Sequence, residues 1–342
     1  MDCIVYTEKS QDSCTLKCTH SLKHSLKCTL SDFTLGSMRN VWHDGINENR
    51  VSYLRKNFQN KIPVNIELVH SKSIIVVYSE KDCKMLEKQK VCADGIITDN
   101  PKLLPIVTVA DCMPIFLWAK NDEGDIIAFG VLHSGWKGTG ICVNAVDILH
   151  RQFGAKNENI YFVLGPHIRN CCYTIDAERA EYFSKNFTSE CVEEIFEDKL
   201  GSSLKLSGEL KWGGEQNSTQ GAAECDALKL SDENFGSVQD TTSNDAQKFD
   251  TAQDTASNDA QNNVPHLYRL SLEKANLALL EKCGIPKKNI TLSSDCTCCT
   301  REENKSSGNI SYIPKYGSFR RQKVLEGSET FNAMMATICL EN

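Results

Sequence analysis

Three residues far apart in the chain have the right types to share a metal ion: His70 at the end of LVH, Cys112 in ADCMP and His133 at the head of HSGWKG. Two imidazoles and a thiolate are nitrogen and sulfur donors that zinc takes in tetrahedral geometry, and three protein ligands leave the fourth position open for water. Bound there, a water has its pKa lowered to about 7, so hydroxide becomes available at neutral pH. Copper is the alternative ion, because a His2Cys set also suits one copper centre. The donors are separated by 41 and 20 residues, so no local spacing rule joins them. The competing reading is packing, since buried Cys and His are common without any ligand role.

The elements around these residues must bring them together. Ile106–Ala110 and Ile126–Leu132 are short runs rich in Ile and Val, bounded by Pro and Gly, which predicts two buried strands delivering Asp111-Cys112 and His133. A glycine turn, Gly135–Gly140, follows, and Ile141, Ala145, Ile148 and Leu149 then share one helical face, with Thr139 as the expected N-cap. Pro63–His70 and Ser73–Tyr78 are expected to be successive strands, the first ending at His70. Asp94–Thr98, Ile160–Leu164, Asn289–Ser293 and Ala333–Leu340 are further strands. Residues 44–60, Ala177–Phe187 and Leu270–Cys283 are expected helices, and residues 301–317 a polar loop. Alternating strands and helices predict one α/β domain with a mixed sheet.

Composition narrows the class. The net charge of −7 resides in residues 200–263, which hold eleven acidic and four basic side chains, so the rest of the chain is neutral and no basic stripe points to nucleic acid. In that stretch QDTTSNDAQ recurs as QDTASNDAQ, a repeat too polar to bury enough surface to offset its chain entropy. The expected organisation is a poorly placed segment 1–40, an α/β catalytic domain formed by 41–199 and 264–342, and a low-complexity acidic insertion at 200–263, expected to be disordered. No apolar run reaches the ~18 residues of a membrane span. The N-terminus has no basic n-region or apolar h-region, and 17 scattered cysteines suit reduced thiols in a cytoplasmic compartment. Cys14, Cys18, His20, His24 and Cys28 lie close together without the spacing of a familiar zinc knuckle.

Several longer motifs occur in a fixed order: LVH at 68–70, ADCMP at 110–114, HSGWKG at 133–138, GPHIRNCCY at 165–173, SSDCT at 293–297 and SFRR at 318–321. Together they resemble the signature blocks of the family once called multicopper polyphenol oxidases, whose members are also described as purine nucleoside-metabolising enzymes and, in bacteria, as peptidoglycan editing factors. The resemblance implies an αββα sandwich with mixed sheets, like the deamidase domain of cytotoxic necrotizing factors. It also implies one metal on His70, Cys112 and His133, zinc or copper. The activities implied are phosphorolysis of purine nucleosides, including methylthioadenosine, and deamination of adenosine.

Purine nucleosides and phosphate are therefore the expected partners. Asp111, adjacent to the thiol, is a candidate proton carrier or orienter, so Asp111, Cys112 and His133 are the expected catalytic residues. Ser134, Lys137 and Arg320 are expected to bind substrate or phosphate, helped by the amides of the Gly135–Gly140 turn at a helix N-terminus. Some positions depart from the family pattern. Leu68 stands where Gln is usual, Lys137 replaces an Arg and loses its bidentate fork, FTLGSMRN at 33–40 is only a remnant of the N-terminal block, and the C-terminal Gly-Arg is missing.

Other readings stay open. Eight histidines without a single His-x-His argue against the trinuclear copper cluster of a laccase. A hydrolase editing a peptidoglycan precursor through Cys112, and a scaffold whose insertion binds a partner, are the remaining options. Nothing sets the oligomeric state, and a homodimer is one option. Cys171-Cys172 are expected to be small core residues, and the C-x-x-C spacing at 296–299 lacks a thioredoxin-like context. Trp136 either stacks on a purine or wedges its turn, and His167 either lines the pocket or sits in a surface turn.

Overall fold

All eight residues of β8 (Met113–Lys120) are buried. Met113, Ile115, Leu117 and Ala119 join one apolar cluster, while Phe116 and Trp118 join another. A strand whose alternate side chains enter two separate cores must lie inside a stack of layers. The computed structural model of the protein describes residues 4–9, 13–19, 25–195, 267–306 and 309–341.

Two mixed six-stranded sheets form the middle of the stack. In the first, β1 (Ile4–Lys9), β2 (Ser13–Thr19), β3 (Leu26–Ser31), β17 (Met334–Leu340), β7 (Leu103–Val109) and β4 (Ile62–Val64) lie in that order. In the second the order is β14 (Ile290–Leu292), β10 (Ile160–Leu164), β8, β9 (Ile126–Ser134), β6 (Gly95–Thr98) and β5 (Ile74–Val76). Phe116, Trp118, Phe129 and Val131 of one sheet meet Val107, Val109, Met334, Ala336 and Ile338 of the other. Helix α1 (Glu48–Asn57) covers the first sheet through Tyr53, against Leu104, Ile106 and Met335. Helices α3 (Ile141–Phe153) and α5 (Leu272–Lys282) cover the second. The layers thus run helix, sheet, sheet, helix, with no barrel. Helix α2 (Glu80–Gln89), opened by a Ser79/Asp82 capping box, closes a side cluster with Val64, Ile66, Val77 and Leu103. A small sheet, β11 (Thr174–Ile175), β13 (Leu267–Leu270) and β12 (Val192–Ile195), sits beside α4 (Ala177–Asn186).

Strand directions in the second sheet decide which strand ends meet at one edge. β8 and β9 are antiparallel, as are β9 and β6, and β10 and β8; β5 runs parallel to β6, and β14 parallel to β10. Hence the starts of β5, β6 and β8 and the ends of β9, β10 and β14 all fall at one edge.

Several expectations are corrected. The strand expected at 63–70 ends at Val64, and His70 lies in a turn with φ of 58°. The loop expected at 301–317 contains an antiparallel hairpin, β15 (Arg301–Ser306) with β16 (Asn309–Pro314). Its Ile310 and Tyr312 are exposed, so no burial pattern marked it. Helix α3 is capped by Gly140 at φ of 100° rather than by Thr139, whose hydroxyl donates to the Gly135 carbonyl at 2.9 Å. The 1–40 segment contributes β1, β2 and β3 to the first sheet. Residues 200–263, His20 and His24 lie outside the described residues. Among the described residues no helix is long and apolar enough to cross a membrane.

Candidate functional site

The common strand edge brings the three expected donors together. One ligand atom each from His70, Cys112 and His133 lies within 4.8 Å of the others. The two rings stand edge to face, their centroids 4.9 Å apart at 77°. Cys112 precedes β8 and His133 is the penultimate residue of β9, where Pro114 pairs with His133. Gly135 keeps the space open: a Cβ there would lie 2.8 Å from Cys112 Sγ and 3.7 Å from His70 Cδ2. His70 is exposed, Cys112 half-buried and His133 buried, so the group faces solvent on one side only.

Asp94, at the start of β6, is the organiser that sequence reasoning missed. Its Oδ1 lies 2.9 Å from His133 Nδ1 and accepts from the His70 amide at 3.0 Å. Oδ2 accepts from the Ser71 amide at 2.6 Å and its hydroxyl at 2.7 Å. Burial works against its charge, but the hydrogen bonds and charge of His133 and the Ser71 bonds outweigh it, and its carboxyl is held below the usual range. An acceptor-only carboxylate fixes the proton of His133 on Nδ1 and leaves Nε2 free to face Cys112. One carboxylate thus sets the backbone of one ligand and the tautomer of the other, a recurring support for metal-bound histidine. The only hint in the sequence was an Asp heading a strand.

Thiol and imidazole act on each other. Burial alone would raise the Cys112 thiol, yet charge and hydrogen bonds from His133 and His70 bring it down to about 6. Burial alone would lower His133, yet the Cys112 thiolate and Asp94 push it up to about 10. The donor set therefore fits an ion. In a zinc tetrahedron such donors lie about 3.3–3.8 Å apart, within reach of small side-chain rotations from the spacing seen.

The other expected residues divide. Asp111, with φ of 85°, is buried, and burial raises its carboxyl despite hydrogen bonds from Arg320, Thr297 and Ser318. Thr297 Oγ1 and the Arg320 amide each donate to it at 2.6 Å, so both oxygens clamp C-terminal segments against the site. Ser134 is fully buried, with its hydroxyl turned toward the Gly138 carbonyl at 3.5 Å. At the start of α3 the Ile141 and Val143 amides bond back to Gly138 and Gly140, so the expected anion cradle is partly consumed by its own turn.

Lys137 is exposed, its Nζ 5.2 Å above the Trp136 ring, and Arg179 of α4 lies over the same ring at 4.3 Å. Trp136 therefore has two cations beside its ring. Arg320 reaches Thr174 Oγ1 at 3.0 Å and its carbonyl at 3.2 Å. Tyr173, raised by burial, feels Arg179 and Arg320 as well as Cys112 and Asp111. Arg179 and Tyr173 were not singled out from the sequence; Tyr173 at least ends a matched motif. His167 is buried, its Nδ1 donating to the Gly165 carbonyl at 2.9 Å, and burial lowers it to about 4.

The chain is similar to several known proteins. The chain is 36% identical over 101 residues to "Purine nucleoside phosphorylase LACC1" of Mus musculus, covering 29% of this chain and 23% of that protein. It is 29% identical over 133 residues to "Purine nucleoside phosphorylase CA_C1699" of Clostridium acetobutylicum, covering 38% of this chain and 52% of that one. The matches thus span from about a quarter to about half of these relatives' length. The fold is similar to that of YfiH from Bacillus licheniformis, with a TM-score of 0.61 at 21% identity, covering 98% of this chain and 99% of that one. It is also similar to YlmD from Geobacillus stearothermophilus, with a TM-score of 0.60 at 20% identity over 98% and 99%. The family model described as "Multi-copper polyphenol oxidoreductase laccase" matches residues 29–209, a span that includes all three donors and the turn that shapes their pocket, and the chain belongs to that family.

Proposed function

We propose that this chain is a metal-dependent purine nucleoside phosphorylase whose site also deaminates adenosine and cleaves methylthioadenosine. The observation that carries the reading is the meeting of His70, Cys112 and His133 within 4.8 Å at a half-open strand edge. The names of the relatives supply the substrate class. Zinc, or copper in its place, would be held by these three residues and would supply a Lewis acid and a water of lowered pKa. His133 is kept by Asp94 in the tautomer that presents Nε2. Lys137, Arg179 and Arg320 hold the phosphate by charge, with Trp136 seating the first two. Tyr173 keeps its phenolic proton because burial raises it, and can donate a hydrogen bond to the base. Asp111 positions the Arg320 backbone. The suggested kinship with the cytotoxic necrotizing factor deamidase domain belongs to the same reading, since that chemistry also joins a thiol to an imidazole.

A laccase reaction is less well supported. Among the described residues the groups with metal-ligand spacing are this one and a set of four cysteines, and neither offers the several histidines of a trinuclear copper cluster. The test is base release from adenosine, inosine, guanosine and methylthioadenosine by metal-loaded protein, with and without phosphate. Phosphate-dependent release, lowered at least about 100-fold in Cys112→Ala, is the expected result. Arg179→Ala should raise KM for phosphate about tenfold, about 1.4 kcal/mol, with kcat little changed. Metal-replete protein that leaves every nucleoside intact would end the reading.

A further inference from the structure

A second cluster of donors lies at the same strand edge, contributed by two turns. Cys171 and Cys172 sit between β10 and β11, where the Cys172 and Tyr173 amides both donate to the Arg169 carbonyl at 2.9 Å. Cys296 and Cys299 sit in the turn after β14, closed by the Thr300 amide to the Cys296 carbonyl at 3.0 Å and by the Cys296 amide to Thr300 Oγ1 at 2.9 Å. The turns are stitched together: the Thr297 amide donates to the His167 carbonyl at 3.0 Å, and the Arg169 amide points at Cys296 Sγ at 3.4 Å. All four sulfurs lie within 4.8 Å of one another.

These distances select among the chemistries of thiols. Cys171 Sγ and Cys299 Sγ are 3.6 Å apart, far beyond the ~2.05 Å of a disulfide. Four sulfurs at about 2.3 Å from a central zinc stand roughly 3.8 Å apart along the edges of their tetrahedron. A multi-iron cluster would spread its cysteines over several metal atoms and hold them further apart. Core packing does not account for the set either, because Cys171 and Cys299 are exposed and only Cys296 is buried. A backbone N–H aimed at a ligand sulfur is the kind of support that metal-bound thiolates receive.

We propose that Cys171, Cys172, Cys296 and Cys299 bind one zinc ion in a closed, structural tetrahedral site distinct from the His70–Cys112–His133 group. Four protein ligands leave no position for substrate, so the ion acts as a staple. It joins the β10–β11 turn to the 293–300 loop. That loop carries Thr297, which holds Asp111 beside Cys112, and the Thr297 and Cys298 carbonyls that receive the Arg321 guanidinium at 3.0 and 3.2 Å. The staple would brace one wall of the reaction site without touching substrate. Cys298, buried next to Cys172, is a fifth thiol left outside the set.

The test uses full-length protein purified under reducing conditions, in the background Cys112→Ala so that the two sites are counted apart. Expected are about one zinc per chain by elemental analysis and, after exchange for cobalt(II), an intense thiolate-to-cobalt charge-transfer band. Adding Cys171→Ser and Cys299→Ser should remove both. Should that triple variant fold poorly, peptide mapping of Cys112→Ala decides: the four cysteines should resist N-ethylmaleimide before chelation and react after it. Zinc-free Cys112→Ala after growth and dialysis with zinc, free reaction of all four thiols in zinc, or a Cys171–Cys299 disulfide found by mapping would each overturn the proposal. None of these outcomes depends on nucleoside turnover.

Discussion

At the scale of single residues, the Cys112–His133 pair makes a pH prediction with a definite sign. In metal-free protein Cys112 falls from its ordinary 9.0 to about 6. Its contribution to stability is present above 9.0 and is lost as pH falls toward 6. His133 rises from 6.5 to about 10, so its contribution is present below 6.5 and is lost as pH rises toward 10. The two opposing slopes cancel between pH 6.5 and 9.0, so urea denaturation of metal-free protein should show a plateau there that falls as pH drops toward 6 and as it rises toward 10, and Cys112→Ala should flatten it. Metal uptake at this site should depend on pH through the same two groups, since the ion must displace the proton on His133 and, below about pH 6, the one on Cys112 as well. Asp94→Asn is the sharpest single change, because an amide can present its donor face to His133 and release the wrong tautomer. It should weaken zinc about 10–100-fold in a competitive chelator titration while leaving the melting temperature far less affected. Unchanged affinity would mean that Asp94 supports the turn at His70 and not the ring of His133.

Among elements, the connection from Thr297 through Asp111 to Arg320 ties three loops into one wall. Thr297→Val keeps the shape but removes one donor from a buried carboxyl, which should cost about 1–3 kcal/mol by chemical denaturation. Asp111 illustrates how far local sequence carries. Its place beside Cys112 was legible, but its partners lie 186 and 209 residues away, and no periodicity connects them. Strand β10 was legible because its apolar run ends at Gly165-Pro166, and the helix expected at Ala177–Phe187 is α4, capped by Asp176. His70 was misplaced on a strand because LVH prolongs the alternation of the preceding residues, whereas Asp94 pulls the chain into a turn there. The four cysteines were passed over because Cys171-Cys172 and Cys296–Cys299 each look unremarkable alone; only the parallel pairing of β10 with β14 makes them neighbours.

For the whole molecule, the candidate site sits at one edge of the second sheet while stability rests between the sheets. Ile338 of β17 is fully buried in that inter-sheet core. Ile338→Ala should cost about 2–5 kcal/mol and still bind metal with near-normal affinity below its melting transition, as measured by thermal denaturation and zinc titration. Loss of metal binding in a folded variant would show that core and edge are coupled more tightly than their separation suggests. The pairing of Ile195 with Leu267 has a different consequence. Wherever residues 196–266 travel, the chain leaves and re-enters the body at adjacent backbone positions, like a bracelet fastened at a single clasp. Because the entropy of closing such a loop grows only as the logarithm of its length, this junction is a natural splice point. Replacing 200–263 with a short Gly-Ser bridge should leave the melting transition within a few degrees of the parent, and a foreign module could be grafted in its place.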